Sequence, residues 1–237
     1  MHGRAGIFQL LSMQETVFVK KNVKARLKWC KEHKEWNDEW KKVVFSDESR
    51  FCLFHNDGRR KVWRKIGERH RRDCLKPTVK FGGGSVMVWG CFSWWGVGPL
   101  VVVDGTLNQD GYVDILNKQL EPYLKQLDEQ HPGMLFQDDN APCHTAARPT
   151  QYLETQGIKH MAWPSQSPDL NPIEHLWDEL DRRVRKRKRL PTSHAELAAA
   201  LKEEWGKVPF DAIQKKIFSM SRRIAAVIDA KGENSPY

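Results

Sequence analysis

The chain has 237 residues, of which 40% are hydrophobic, so it is long and apolar enough to bury a core and is not a disordered protein. Its 39 Lys and Arg residues outnumber its 30 Asp and Glu residues, giving a net charge of +9. This balance favours a polyanionic partner, with nucleic acid as the first expectation and a membrane surface as the second.

The cysteine and histidine patterns argue against a disulfide framework and a zinc enzyme. The five cysteines are an odd number without a C-x-x-C pair, which indicates reduced thiols in an intracellular protein. The nine histidines include no H-E-x-x-H pattern. Residues 1–21 contain neither a long apolar core nor a small-residue cleavage site, so no secretory signal is expected.

The first predicted elements are a helix and two strands. Residues 22–40 space apolar side chains among charges at helical intervals, which predicts an amphipathic, mostly basic helix. The stretches "VVFSDE" and "RFCLF" predict two adjacent strands, with Asp47 and Glu48 where the first one ends. A basic, loop-rich segment over 55–80 follows.

Residues 81–103 carry no charge and are long enough to cross a bilayer. However, the β-branched pieces "VMVWGCF" and "PLVVV" flank the turn-like "SWWGVG", and the stretch is rich in glycine. This pattern predicts a glycine-rich β-hairpin and no membrane span. The triple glycine at 82–84 lacks a following G-K-[ST], so it is not a P-loop.

Strands and helices then alternate. The pattern predicts a helix over 108–130, a strand over 134–139, a helix over 143–156 and a strand over 158–163. Together with the early strands, this alternation predicts an α/β domain with a mixed sheet and helices on both faces.

The chain is predicted to be helical beyond Pro164. Three helical segments are expected, opened by Asn171, by Thr192 or Ser193, and by Pro209.

Two adjacent aspartates end the predicted strand over 134–139. Because successive side chains on a strand point to opposite faces, Asp138 and Asp139 do not face the same site while the strand continues. Polar side chains at the carboxyl end of a strand also mark the edge where α/β sheets bind ligands. One of the two is therefore a site candidate, although strand-end aspartates also cap turns.

Glu174 has two interpretations. In "NPIE", Asn171 suits the N-cap, Pro172 the first helical position and Glu174 the third, which is the pattern of a capping box. A carboxylate in the first turn also lies at the positive end of the helix dipole and stays ionised, as a ligand for a hard metal ion must. The pattern alone leaves both roles open.

Three motifs resemble, in order and spacing, the catalytic blocks of the Tc/mariner transposases, an RNase H-like family: "SDES", "FQDDNAPCHTA" and "WPSQSPDLNPIEHLW". The glycine-rich "PTVKFGGGSVMVWGCFSWWGVGPL" and the following "GYVDIL" are also similar to that family. The resemblance implies an RNase H-like fold in which the hairpin is an insertion and the end of the chain is helical. It divides the chain into an unrecognised segment 1–20, a linker helix 21–40 and a DDE catalytic domain 41–237.

The resemblance places the family's catalytic carboxylates on Asp47, Asp139 and Glu174. The 34 residues between Asp139 and Glu174 match the Tc branch, whereas mariner proper has aspartate at the last position. Asp138 and Glu48, like Asp169, occupy neighbouring motif positions and are expected to be structural.

By resemblance, the three carboxylates bind two Mg²⁺ ions, with Mn²⁺ as a substitute, and Asp47 bridges them. Metal-dependent cleavage at transposon ends would be followed by attack of the freed 3′-hydroxyl on target DNA at a TA dinucleotide. Asn140 and His144 are candidates for orienting ligands, and turn or helix-start chemistry is the alternative for both.

Basic residues supply the candidates for nucleic-acid contact. The run "RRVRKRKR" is interpreted as a solvated, dipole-matched helix end or as a nuclear-localisation or DNA-contact patch, and these roles do not exclude each other. By resemblance, Arg64 and Lys65 lie in a loop that contacts DNA or a partner subunit in a homodimer. The candidates in the run are Arg182, Arg183, Arg185, Lys186, Arg187, Lys188 and Arg189.

Three functions compete. The family's bipartite helix-turn-helix region, which reads the transposon ends, is expected to be missing, so phosphate contacts would supply most of the DNA affinity. The intact carboxylates favour an enzyme, a transposase catalytic core. The missing region favours a DNA-binding or dimerising remnant whose carboxylates are unused. A nuclease acting on RNA–DNA hybrids is the third alternative.

Overall fold

The computed structural model describes residues 20–53 and 84–237 of the chain. Strands β1 (Val43–Cys52), β2 (Ser85–Ser93) and β3 (Gly96–Val103) are antiparallel neighbours, and the short strand β4 (Leu135–Gln137) runs parallel to β1. In the described residues they form one sheet with the order β3-β2-β1-β4. The predicted mixed sheet is confirmed.

Helices cover both faces of this sheet. Two short 3₁₀ segments, Asp38–Lys42 and Pro168–Leu170, and a π-helical turn, Leu116–Leu120, lie between or within the longer helices. The α-helices are α1 (Lys20–Glu32), α2 (Gln109–Ile115), α3 (Glu121–Gln130), α4 (Ala147–Thr155), α5 (Glu174–Arg185), α6 (His194–Gly206), α7 (Phe210–Phe218) and α8 (Met220–Asp229).

The alternation of side chains along β1 divides the core into two layers. Val43 and Phe45 pack with α1 and α5 to α8, whereas Val44 packs with α2, α3 and α4 on the opposite face. All three side chains are fully buried, and each such burial stabilises the fold by about 1.5–3 kcal/mol. The strand therefore separates the two helical layers, and any polar side chain on it is directed towards one of them.

The first part of the chain differs from the prediction in two places. The helix expected over 22–40 ends at Glu32, because Trp36 and Trp40 turn back and pack against His33. The two strands expected around "VVFSDESRFCLF" are one continuous strand, so Asp47 and Glu48 lie in its middle.

The hairpin and the later elements also need correction. The glycine-rich hairpin is confirmed, but it supplies β2 and β3 of the central sheet and is not an insertion into it. The strand expected over 158–163 is a single bridge between His160 and Phe136, since side chains take the carbonyls of Ala162 and Trp163 instead.

The predicted helices differ mainly at their boundaries. The helix expected over 108–130 is α2, the π turn and α3 in succession. The helix expected over 143–156 begins only at Ala147, since the Ala141 carbonyl accepts bonds from the N–H groups of His144 and Thr145 in a preceding turn. The helical end has four helices where three were expected, because the chain breaks at Ser219 between α7 and α8.

Within the described ranges, no helix is both long and apolar enough to cross a bilayer.

A buried ion pair fixes the loop that precedes α5. The Arg26 guanidinium of α1 donates two hydrogen bonds to the Asp169 carboxylate, at 2.8 and 2.7 Å, and a third at 2.9 Å to the Gly232 carbonyl. Ser235 donates to the same carboxylate through its N–H and its hydroxyl. The first and last described segments are thereby joined to the 3₁₀ turn Pro168–Leu170, as expected for a structural role of Asp169.

Removing one partner of this pair should destabilise the fold strongly. We expect Arg26→Met to lower the free energy of unfolding by about 3–5 kcal/mol, because it leaves a buried carboxylate without its cation. Urea denaturation measures the change. Lys28→Met on the same helix is the matched control, since the Lys28–Glu32 pair is largely exposed and should contribute little. Equal effects of the two substitutions would contradict the prediction.

The same pair predicts a pH dependence. Burial alone would raise the pKa of Asp169, but Arg26 and then Ser235 outweigh it and lower the pKa below the ordinary 3.8. The stability from this carboxylate is therefore present above pH 3.8 and is lost as the pH falls through the lowered pKa. The difference between the unmodified chain and Arg26→Met should shrink over that acidic range.

Candidate active site

Strand pairing brings two of the predicted carboxylates together. β1 and β4 are parallel with Phe45 opposite Gln137, and Asp47 and Asp139 each lie two residues further along. Asp47 has the phase of Phe45, so it is directed towards α5. Glu48 is directed to the opposite face. The site is therefore built at the end of β4, where β1 continues beyond its partner.

The start of α5 supplies the third carboxylate. Asn171 has extended backbone angles, and its Oδ1 accepts a hydrogen bond from the Ile173 N–H at 3.3 Å. The Asn171 N–H donates to the Pro168 carbonyl, so no capping box forms with Glu174. The Asn171 Nδ2 also donates to the Ser46 carbonyl at 3.1 Å, which ties the start of α5 to β1 beside Asp47.

Asp47, Asp139 and Glu174 line one open cleft of about 330 Å³. Its other wall is the loop of residues 163–168. Over residues 20–53 and 84–237, no three acidic, histidine or cysteine side chains converge tightly enough to form a ready-made metal site. The cleft thus brings three carboxylates together at a looser spacing.

The electrostatics of this cleft suit a cation. Burial first, and then the carboxylates of Glu174 and Glu48, raise the pKa of Asp47 well above its usual range. Burial and then Asp178 raise the pKa of Glu174, although Arg223 partly offsets this. A divalent ion would relieve the repulsion, and carboxylate oxygens are the ligands that Mg²⁺ prefers. The donor set therefore fits a hard divalent metal.

Asp139 is held by a buried imidazole. His144 Nδ1 lies 2.7 Å from Asp139 Oδ1, and His144 Nε2 lies 3.3 Å from Glu48 Oε1, but neither contact has hydrogen-bond angles. Burial disfavours the imidazolium, yet the two carboxylates outweigh it and raise the pKa of His144 to about 11. Burial alone would raise the pKa of Asp139, but His144 and the Ala141 N–H lower it. His144 therefore touches a site carboxylate directly.

Asp138 has a different environment. Its side chain is buried, accepts a hydrogen bond from the Tyr112 hydroxyl at 2.6 Å and lies 2.7 Å from His160 Nε2. The Tyr112 ring also stacks on His144, with the ring centres 4.0 Å apart. Asp138 thus ties α2 to the segment after α4. By contrast, the Asp139 side chain is 49% exposed in the cleft.

The remaining candidates fall into two groups. Asn140 lines the cleft, and its Nδ2 donates to the Trp163 carbonyl at 2.7 Å, so it holds the cleft wall in place. Arg64 and Lys65 lie outside the described residues.

The basic run at the end of α5 is partly neutralised. Arg183 pairs with Glu179, Arg185 with Asp181, Arg187 with Glu203 and Glu204, and Arg189 with Glu196. Arg185 also donates to the carbonyls of Cys52 and Leu53 at the end of β1. Arg182, Lys186 and Lys188 are exposed and, among the described residues, form no ion pair.

One contact at the site has no signal in the motifs. Trp177 Nε1 donates a hydrogen bond to Asp47 Oδ2 at 3.0 Å. In the sequence, Trp177 belongs to the apolar stripe of α5 and is indistinguishable from a core residue. Only its position three residues after Glu174, on a neighbouring part of the same helix face, hints at a place beside the site.

The chain that forms this cleft is similar to known proteins. The family described as "DDE superfamily endonuclease" matches residues 42–197, which include all three carboxylates. The chain is 41% identical over 235 residues to the transposable element Tcb1 transposase of Caenorhabditis briggsae, covering 98% of this chain and 84% of that protein. The chain belongs to the Tc1/mariner transposases of the DDE superfamily.

Other relatives agree with this DDE transposase assignment, which confirms the motif resemblance. The Tc1 transposase of Caenorhabditis elegans is 40% identical over 99% of this chain and 85% of its own length, so the similarity also includes most of residues 1–20. The Mos1 mariner paired end complex with Mn has a TM-score of 0.81 at 18% identity, covering 98% of this chain and 69% of that one. This likeness confirms the RNase H-like fold.

Amide substitutions at two of the carboxylates should change stability in opposite directions. In metal-free protein at pH 7, we expect Asp47→Asn to raise the melting temperature by about 2–4 °C, the shift that about 1 kcal/mol produces in a chain of this size. The amide removes repulsion and can still accept the Trp177 N–H. Asp139→Asn should lower the melting temperature, because it withdraws charge from the buried His144 cation. Differential scanning calorimetry checks both, and shifts of the same sign would contradict this picture.

Proposed function

We propose that this DDE transposase domain cleaves DNA at transposon ends and transfers the resulting 3′-hydroxyl strand into target DNA. The observation that supports this reaction is the convergence of Asp47, Asp139 and Glu174 from three separate elements on one open cleft. Solved structures of the mariner relative Mos1 are described as a paired end complex and a strand transfer complex. Those descriptions concern Mos1, and they motivate DNA as the partner of this chain.

The proposal includes Mg²⁺ as cofactor, with Mn²⁺ as a substitute, held by the three carboxylates. Bound divalent ions would activate the attacking oxygen and stabilise the leaving oxygen of a phosphodiester. The oxygen donors of the three carboxylates and the raised pKa values of Asp47 and Glu174 support this assignment. Mos1 structures described with Mg and with Mn agree with it.

The chain's own residues supply the geometry for this reaction. Asn171 joins the start of α5 to the Ser46 carbonyl and so fixes how far Glu174 lies from β1. His144 lies against Oδ1 of Asp139, and this carboxylate remains half-exposed in the cleft. Asn140 binds the Trp163 carbonyl and keeps the opposite wall in place for the DNA backbone.

Three further parts of the proposal depend on the motif resemblance. They are a TA dinucleotide as the target, a homodimer as the assembly and the nucleus as the location. The exposed Lys186 and Lys188 at the end of α5 support contact with phosphates, since their charges are not neutralised by other described side chains.

Strand joining tests the proposed reaction directly. A pre-cut oligonucleotide carrying a transposon end is incubated with plasmid and Mg²⁺ or Mn²⁺, and joined product is measured on a gel. We expect joining by the unmodified chain and its loss in Asp139→Asn, which removes a ligand charge. Asp138→Asn is the matched control, because this buried neighbour bonds Tyr112 and lies beside His160, away from the cleft.

The outcomes separate the competing functions. Joining that survives Asp139→Asn but fails in a folded Asp138→Asn would refute the site assignment. If folded protein binds the DNA and none of the three proteins joins it, the chain acts as a DNA-binding remnant of a transposase. Preferential cleavage of an RNA–DNA hybrid over duplex DNA would identify a hybrid nuclease instead.

Salt dependence tests the basic run. We expect a Lys186→Ala, Lys188→Ala double variant to reduce the slope of log affinity against log salt by about 2, since each of these exposed lysines would neutralise about one phosphate. Arg187→Ala is the matched control: its charge is already paired with Glu203 and Glu204, so the slope should change less. Fluorescence anisotropy at several salt concentrations measures this, and equal slopes for all three proteins would exclude DNA contact at this surface.

A further inference from the structure

We propose that Trp177 is a positioning residue for Asp47, and that Gly90 provides the space that it needs. The inference rests on the proposed metal-dependent function, because it concerns how one of the three carboxylates is presented to a cation. It assigns a role to two residues that are not carboxylates and that belong to different elements, α5 and β2.

The hydrogen bond between Trp177 and Asp47 has a fixed direction. An indole N–H donates and cannot accept, so Trp177 Nε1 at 3.0 Å can only bind an oxygen of Asp47 as donor. The bond goes to Oδ2, so the single N–H of the indole is not shared with Oδ1. A carboxylate held by one oxygen presents the other in a defined direction, which is how partners behind a ligand tune a metal site.

The indole is itself locked by its surroundings. Trp177 is only 4% exposed, and its ring stacks on Trp205 with the ring centres 5.1 Å apart. Phe51 packs edge-on against Trp177, with the ring centres 6.0 Å apart. Since both neighbours are buried aromatic rings, the N–H of Trp177 has little freedom to turn away from Asp47.

Gly90 makes this approach sterically feasible. In the antiparallel pairing of β1 with β2, Gly90 lies directly opposite Asp47. A Cβ at position 90 would lie 2.7 Å from Cη2 of Trp177, well inside contact distance. The absence of a side chain beside Asp47 therefore lets the indole lie against the sheet and reach the carboxylate.

Helix α5 determines the position of one carboxylate, Glu174, and the orientation of a second one, Asp47. Glu174 begins α5, and Trp177 follows almost one turn later. Because the helix is rigid over one turn, the position of Glu174 and the orientation of Asp47 are fixed together. Loss of the indole N–H should therefore weaken cation binding even though no ligand is removed.

Direct metal binding tests the inference without any DNA reaction. Mn²⁺ is titrated into DNA-free protein by isothermal calorimetry, with Asp47→Asn defining the Asp47-dependent binding. We expect Trp177→Phe to weaken this binding by about 10–100-fold, the usual effect of losing a group that orients a ligand. Trp40→Phe is the matched control: it also removes a hydrogen bond of a buried indole, but that bond goes to the Trp36 carbonyl, away from the cleft.

Gly90→Ala is the second variant, and it tests the inference independently if Trp177→Phe does not fold. It retains the indole but forces it away from Asp47, so Mn²⁺ binding should weaken in the same direction. Unmodified chain that shows no Asp47-dependent Mn²⁺ binding would overturn the proposed function and this inference together. If the unmodified chain binds Mn²⁺, and Trp177→Phe or Gly90→Ala binds it as well as Trp40→Phe does, the inference alone is overturned.

Discussion

Mutual repulsion among the carboxylates is the constraint on which the rest of the structure depends. Three acidic side chains share one cleft. Burial and neighbouring charge favour the neutral forms of two of them, Asp47 and Glu174. Such a cluster costs stability without a cation, so other contacts must hold it. Here a buried imidazole holds Asp139 and an amide holds the start of α5. The fold keeps the site assembled before any cation binds.

The loop between residues 163 and 171 is held in place by helix α1. Its residues 163–168 form the uncharged wall of the cleft, and Gln166 there has a positive φ of 56°, a strained conformation for a residue with a side chain. Asn22 and Arg26 of α1 both bind Gln166, and Arg26 also binds Asp169. Helix α1 is therefore part of the catalytic unit and more than a link leading into it.

The sequence located the three carboxylates of the cleft better than it located the element boundaries. The motif resemblance selected these three residues, whereas the local pattern alone left a structural alternative open for each. The middle position of Asp47 in β1 was missed, since it depends on β2, more than thirty residues away. Likewise, the pairing of Arg187 with Glu203 joins the turn after α5 to α6, and no local pattern shows that this charge is already neutralised.

The unbroken register between β1 and β2 has a consequence for how accurately the chain must fold. A slip of one residue would exchange the faces of Asp47 and Glu48, directing the shorter carboxylate towards His144 and the longer one towards α5. It would also place Trp89 or Cys91 opposite Asp47 in place of Gly90, where the indole needs room. A misregistered hairpin would thus bury similar apolar area yet lack the site, so sheet register separates an active molecule from a compact, inactive one.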